Sequence, residues 1–142
     1  MMADSGIGKV AFDLVTPTEL AVSEEADMVV VPGAEGDFGV LPGHTPLLTT
    51  LRAGLIDIHQ DGAIEQSLFV ESGFAEATPE RCTVLAGGVT PMNEISAEDA
   101  RARLAAAEEA YRAAEDDARA AAETELRTAE AMIKAVEMRA GG

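Results

Sequence analysis

Tryptophan is absent, tyrosine occurs once and phenylalanine four times, so the aromatic platforms on which single-stranded nucleic acids stack are missing. Positive charge is scarce as well. Ten Lys and Arg stand against 26 Asp and Glu, giving a formal net charge of −16 and an isoelectric point near 4.3. Phosphate backbones and anionic lipid surfaces are held by clustered cations, so nucleic acid and direct lipid binding are not expected. No apolar run approaches the roughly 18 residues of a membrane helix. Met1 to Lys9 also lacks the basic start and apolar stretch of a secretory signal. The single cysteine, Cys82, has no partner for an internal disulfide and lies in an alternating apolar stretch, which suits a small buried hydrophobe in a reducing compartment. Only two histidines occur, His44 and His59, without paired-ligand spacing, so no metal site is expected. No Ser/His/Asp or Cys/His set is suggested by spacing, and no cofactor or catalytic residue is expected.

What is present divides into two halves of different period. Up to about Pro91, short β-branched runs alternate with Gly and Pro: Val10 to Val15, Met28 to Val31, Leu55 to Gln60, Ile64 to Val70, Phe74 to Ala77 and Cys82 to Ala86. Val10, Phe12 and Leu14 fall on one face of a strand, and Ile64, Gln66, Leu68 and Val70 on one face of another. Asp61-Gly62 predicts a two-residue type I′ hairpin, and Pro79-Glu80 a second turn. Short strands at close spacing with no helix between them predict an antiparallel β-sandwich over residues 1–92.

From Ala97 to Ala140 neither breaker occurs. Ser96 and Asp99 have the spacing of a capping box. Asp99/Arg103, Glu108/Arg112, Glu115/Arg119, Glu123/Arg127 and Glu130/Lys134 place acid four residues before base, the orientation that supports a helix. An alanine-rich seam runs Ala97, Ala100, Leu104, Ala107, Tyr111, Ala114, Ala118, Ala121. It then slips by one residue to Ala122, Leu126, Ala129, Ile133, Val136, Ala140. The slip favours two helices with a cap near Asp116-Asp117 over one rod of about 65 Å. Gly141-Gly142 then forms the C-terminal stop. The expectation is an α+β chain whose residues 93–142 form an antiparallel helical hairpin, held weakly because methyl groups bury little area.

The most specific segment is Pro32-Gly33-Ala34-Glu35-Gly36-Asp37-Phe38-Gly39-Val40-Leu41-Pro42-Gly43-His44-Thr45-Pro46-Leu47-Leu48. Its glycines at 33, 36 and 39 suit sharp turns, and Pro42-Gly43 suits a type II turn. A stiff exposed edge presenting Glu35, Asp37, Phe38 and His44 is expected. With no Lys-Ser/Thr following and no helix opening there, a phosphate loop is not. The block resembles the epsilon subunit of bacterial F-type ATP synthases, called delta in mitochondria. The resemblance extends to Phe12-Asp13-Leu14-Val15-Thr16-Pro17, Leu51-Arg52-Ala53-Gly54, Ser72-Gly73-Phe74-Ala75-Glu76, Thr83-Val84-Leu85-Ala86, Glu123-Thr124-Glu125-Leu126 and Ala135-Val136-Glu137.

The resemblance implies a non-catalytic central-stalk subunit. Its sandwich would grip the gamma subunit and the c-ring, with Glu35, Asp37, Phe38 and His44 facing the c-ring. Its mobile hairpin would reach the alpha/beta catalytic subunits and restrain hydrolysis. The implied location is the cytoplasmic face of the bacterial inner membrane, reached through the complex. Some relatives bind ATP through I/L-D-x-x-R-A at the start of the first helix. Here the positions read Ala97-Glu98-Asp99-Ala100-Arg101-Ala102, so Glu98 and Arg101 would be a vestigial form of that motif. The rival reading is a small nucleotide- or carbohydrate-binding β-module with a coiled-coil tail.

Overall fold

A computed structural model describes residues 8–141. Nearly all of the Met1 to Lys9 segment and Gly142 therefore lie outside the described residues. Ten strands precede two helices: β1 (Val10–Thr16), β2 (Glu19–Ala26), β3 (Met28–Gly33), β4 (Gly36–Val40), β5 (Leu47–Leu51), β6 (Gly54–Gln60), β7 (Ala63–Val70), β8 (Gly73–Ala77), β9 (Arg81–Ala86), β10 (Val89–Pro91), α1 (Ala97–Ala113) and α2 (Asp116–Gly141). One layer comprises β10, β7, β6, β3 and β4, and the other comprises β5, β8, β9, β1 and β2. A single bridge, Gly33 to Leu51, joins the layers along the backbone. The pairing is antiparallel as expected, with one exception: β1 runs parallel to β9.

The core lies between the layers. Val10, Phe12 and Leu14 from β1 meet Val29 and Val31, Ile56 and Ile58, Leu68 and Val70, and Cys82 and Val84. All are buried because strand alternation turns one face of each layer inward. Burial pushes the Cys82 thiol up to about 12, consistent with a packing role rather than a reactive one.

The predicted face of β7 holds only in part. Leu68 and Val70 are buried, but Ile64 is 44% exposed, near the hairpin end of the strand and close to the register shift at Ile58/His59 in its β6 partner. Asp61 and Gly62 have φ of 53° and 80°, as a type I′ turn requires. The Pro79-Glu80 turn is closed by the Thr78 amide donating to the Arg81 carbonyl at 2.8 Å.

Strands β2, β4, β5 and β10 were not separated in the sequence. β2 carries three glutamates, β4 two glycines and β10 a proline, so each lacks the β-branched run that marks its neighbours.

The helices break at Ala114, beside the expected cap at Asp116-Asp117 and ahead of the slip after Ala121. α1 ends at Ala113, Ala114 is extended (φ −71°, ψ 139°), and α2 begins at Asp116. Ser96 caps α1, its hydroxyl accepting from the Asp99 amide at 3.0 Å; a reciprocal contact from the Asp99 carboxylate is not found among the described residues. The hairpin lies on the outer face of the β6/β7 layer. There Phe69, pointing away from the sandwich core, meets Ala100, Met132 and Ala135. Seam positions Ala118 and Ala121 are exposed, so the packed part of α2 is its second half.

Of the five acid-base pairs read from spacing, only Glu123–Arg127 forms among the described residues, at 3.0 Å. Arg112 turns to Glu109, and Arg119 lies 4.5 Å from the centre of the Tyr111 ring. Arg103 leaves Asp99 for a stronger site. It donates to both carboxylate oxygens of Glu71, at 3.1 and 3.2 Å, and to both of Glu125, at 2.7 and 2.9 Å. One guanidinium thus ties α1, α2 and the β7–β8 connection together.

Hydrogen bonding from Arg103 holds the Glu125 carboxyl below its ordinary value of 4.5. A lowered folded-state value contributes stability above about pH 4.5 and loses it as pH falls through that lowered value. In the sandwich the signs oppose. Asp27 is lowered by the Asp61 amide and Lys9, whereas Glu24 is raised by burial and by its neighbour Glu65. Acid should therefore loosen the hairpin before the sandwich. A fluorescent pair at exposed Ala105 and Glu80 should separate on going from about pH 6 to about pH 3, and Glu125→Gln should remove the Glu125 part of that change. An unchanged acid response in Glu125→Gln would count against this origin.

Candidate functional site

The Gly/Pro segment forms a ridge at one end of the sandwich. β3 and β4 make a tight hairpin through Ala34-Glu35, with Gly33 opposite Gly36. Gly36, with φ of 145°, is at the turn. Gly33 and Gly39 do not turn the chain, contrary to expectation; Gly33 is needed for close approach, and Gly39 leaves room for the Met28 side chain. A Cβ on Gly33 would lie 2.9 Å from Phe38 Cε1, and one on Gly39 would lie 3.0 Å from Met28 Sδ. Pro42-Gly43 does form the predicted turn, with Gly43 at φ 86° and the His44 amide donating to the Leu41 carbonyl at 3.1 Å.

Of the four residues expected on the edge, Glu35 and Asp37 are exposed, and Phe38 and His44 are half-buried against each other with ring centroids 6.3 Å apart. His44 Nδ1 lies 2.6 Å from the Thr45 carbonyl oxygen, which fixes the imidazole near the chain. Arg52, not singled out in the sequence, organises the ridge. Its Nη1 donates to the Gly33 carbonyl and its Nη2 to Asp37 Oδ1, both at 2.6 Å. The result is a stiff polar lip with an aromatic pair behind it.

A second surface was also missed. On the outer face of the layer not covered by the hairpin, the register aligns Thr50, Phe74, Leu85, Val15 and Leu20 in one row across five strands. Phe74 and Leu85 are each 52% exposed and Leu20 is 58% exposed. The signal was available in β9, where Cys82, Val84 and Ala86 already fill the inward positions and leave Leu85 on a face that ordinarily carries polar residues. A row of this kind marks an interaction surface more readily than scattered single apolar residues do.

Glu98 and Arg101 lie exposed in the first turns of α1, and neither makes an ion pair among the described residues. They are not joined to the lip by any contact. No group of three or more His, Cys, Asp or Glu that could hold a metal occurs among the described residues. No helix there is long and apolar enough to cross a membrane.

Comparison with known proteins agrees with this architecture. The family model for the beta-sandwich domain of the ATP synthase delta/epsilon chain matches residues 9–92. The ATP synthase epsilon chain of Paramagnetospirillum magneticum is 52% identical over 129 residues, covering 90% of this chain and 97% of that one. That of Granulibacter bethesdensis is 49% identical over 105 residues, covering 74% and 78%.

Among solved structures, a chain in the cryo-electron microscopy structure of the Euglena gracilis mitochondrial ATP synthase, comprising OSCP, F1 and c-ring, superposes with a TM-score of 0.81 at 21% identity. It covers 96% of this chain and 87% of that one. At that identity the likeness speaks for the fold. The match along the sandwich, and the relative that is half identical over nearly its whole length, together show that the chain belongs to the ATP synthase epsilon family.

Proposed function

We propose that this chain is a non-catalytic rotor subunit of an F-type ATP synthase. It couples proton-driven rotation of the c-ring to ATP synthesis by binding the gamma subunit and the c-ring at once. The observation that carries the proposal is the pair of surfaces on one sandwich: the apolar row Leu20, Val15, Leu85, Phe74 and the lip of Glu35 and Asp37 backed by Phe38 and His44. The row is the gamma-binding face, because apolar area supplies most of the favourable free energy of a lasting contact. The lip is the c-ring face, where a polar, stiff surface suits polar loops and keeps the ordering cost of binding low.

A shaft component needs no chemistry of its own. It needs two contacts that do not slip and a body stiff enough to transmit torque between them. The ten strands, β1 to β10, form that body, and α1 and α2 form a hairpin through which the subunit is regulated, reaching the alpha/beta subunits when it leaves the sheet. Glu98 and Arg101 are read as the remnant of a nucleotide motif. The site of action is the cytoplasmic face of the bacterial inner membrane, held there through the complex.

Crosslinking from single cysteines in the assembled complex tests both surfaces. Asp37→Cys is expected to capture the c-ring loop and Leu85→Cys the gamma subunit, with native Cys82 silent because it is buried. If neither product forms, and the purified chain instead elutes as a self-associated oligomer that ignores gamma, the rotor assignment fails and a free-standing β-module takes its place.

A further inference from the structure

Pro32, near the end of β3, has no amide hydrogen to offer a neighbouring strand. β6 pairs with β3 only over Met28 to Val30, and β5 meets it at the single bridge of Gly33 to Leu51. β4 pairs with β3 alone, so the tip of this hairpin, which carries the lip, has little strand support. The connection between β5 and β6 holds it instead. There the Ala34 amide donates to the Thr50 carbonyl at 2.9 Å, and the Arg52 amide donates to the Pro32 carbonyl at 3.0 Å. Gly54 lets that connection lie close, since a Cβ on it would come within 2.9 Å of Pro32 Cβ. These contacts reach only β3 and the turn. Asp37, on β4, is hydrogen-bonded by the Arg52 side chain, whose bonds of 2.6 Å to the Gly33 carbonyl and to Asp37 Oδ1 span both strands. Among the described residues no other side chain hydrogen-bonds to both strands of this hairpin.

We propose that Arg52 is a positioning residue for the contact between the lip and the c-ring, an assignment that rests on the rotor reading. It acts through Gly33 and Asp37 rather than by touching the partner. A guanidinium is a planar fork that can satisfy a carbonyl and a carboxylate at once, whereas a lysine ammonium is a point charge on a flexible stem. With Oδ1 held, Asp37 keeps one orientation. Its Oδ2 and the Glu35 carboxylate, neither of which has a hydrogen-bonded or ionic partner among the described residues, are the groups left for the c-ring. The Arg52 and Asp37 side chains are 46% and 60% exposed, and so open a pair contributes little to global stability. Its effect lies in the ordering cost that any contact with an untethered lip would have to overcome.

Two measurements on Arg52→Gln and Arg52→Lys test the assignment. In the isolated full chain, backbone amide relaxation is expected to show greater mobility at Glu35 to Phe38 in both variants, with β1 and β9 unchanged and the denaturation midpoint close to the parent's. In complex with the gamma subunit, both variants should bind purified c-rings about three- to tenfold more weakly, while their affinity for gamma stays the same. The lysine variant keeps the charge and loses the fork, so parental c-ring affinity in Arg52→Lys would overturn the assignment. A mobile lip that binds c-rings as tightly as the parent does would also overturn it, as would a lip that stays rigid without Arg52. An equal fall in gamma affinity would do the same, by showing a general disturbance of the sandwich. In each of these cases parent binding is intact and the rotor reading stands. A parent complex with no saturable c-ring binding fails the rotor reading itself and takes this proposal with it.

Discussion

Gly73→Ala is expected to be the most damaging small substitution in the chain. Gly73 has φ of 150°, and a Cβ placed there would lie 1.9 Å from the Leu85 carbonyl oxygen and 3.0 Å from Ala86 Cα. Both obstacles are backbone, so no side-chain rotation relieves them. The residue sits at the start of β8, opposite Leu51 on one side and Ala86 on the other, so displacing it disturbs two strand pairs at once. Backbone strain of about 1–3 kcal/mol and overpacking of similar size together predict a loss of about 3–5 kcal/mol. That is a large share of the stability of a domain this small.

The comparison that isolates the cause is Gly62→Ala. Gly62 also has positive φ, 80°, but nothing lies within 4 Å of its added Cβ, so only the conformational cost of about 1 kcal/mol applies. Chemical denaturation of the two variants measures the difference. Equal destabilisation would mean that the close approach of Leu85 is not what requires glycine at position 73.

The second large effect separates the two halves of the molecule. Phe69 is fully buried, yet it faces away from the sandwich core and meets Ala100, Met132 and Ala135 beneath the hairpin. The helices bring Ala100, Ala131 and Ala135 together with Met132, Ile133 and Val136 to this cluster, and the ring is its largest fully buried side chain. Phe69→Ala should cost about 3–5 kcal/mol by lost transfer energy and the cavity left behind. The loss should fall on the hairpin. Amide exchange in α1 and α2 is expected to rise at least about a hundredfold, while amides of β1 and β3 keep their protection. Should strands and helices accelerate together, the hairpin and sandwich unfold as one unit and no separately docked tail exists.

Arg103 is the polar counterpart of Phe69. It draws Glu71 from the sandwich and Glu125 from α2 to one guanidinium on α1, at part-buried positions where such bonds are screened less than on an open surface. The ring supplies area and the cation supplies geometry. Together they account for a hairpin that is located on the sheet without being fused to it.

Much of this could be read along the chain. The alternation of Val10, Phe12 and Leu14 placed their face in the core, Asp61-Gly62 specified a hairpin, and the one-residue slip after Ala121 anticipated a break close to Asp116. Each is a local property, governed by the two-residue period of a strand, the positive φ that Asp and Gly tolerate, or the pitch of a helix. The family resemblance in the Gly/Pro segment was legible for a similar reason: closely spaced turns and close approaches restrict which residues fit.

Other features were beyond the reach of spacing. The pairs at four-residue separation looked interchangeable, yet Arg103 abandoned Asp99 because two carboxylates from distant segments gave it a bidentate site that one neighbouring turn of helix could not. The apolar row from Leu20 to Phe74 exists only because the register of three strand pairs brings residues up to 70 positions apart into line. Likewise, one cleft brings Arg52 of the β5–β6 connection beside Arg127, Lys134 and Arg139 of α2. Local backbone chemistry thus determined which elements form and where they stop. Long-range packing and strand register, which a linear period does not encode, decided which residues of different elements share a surface, and so where the chain can meet its partners.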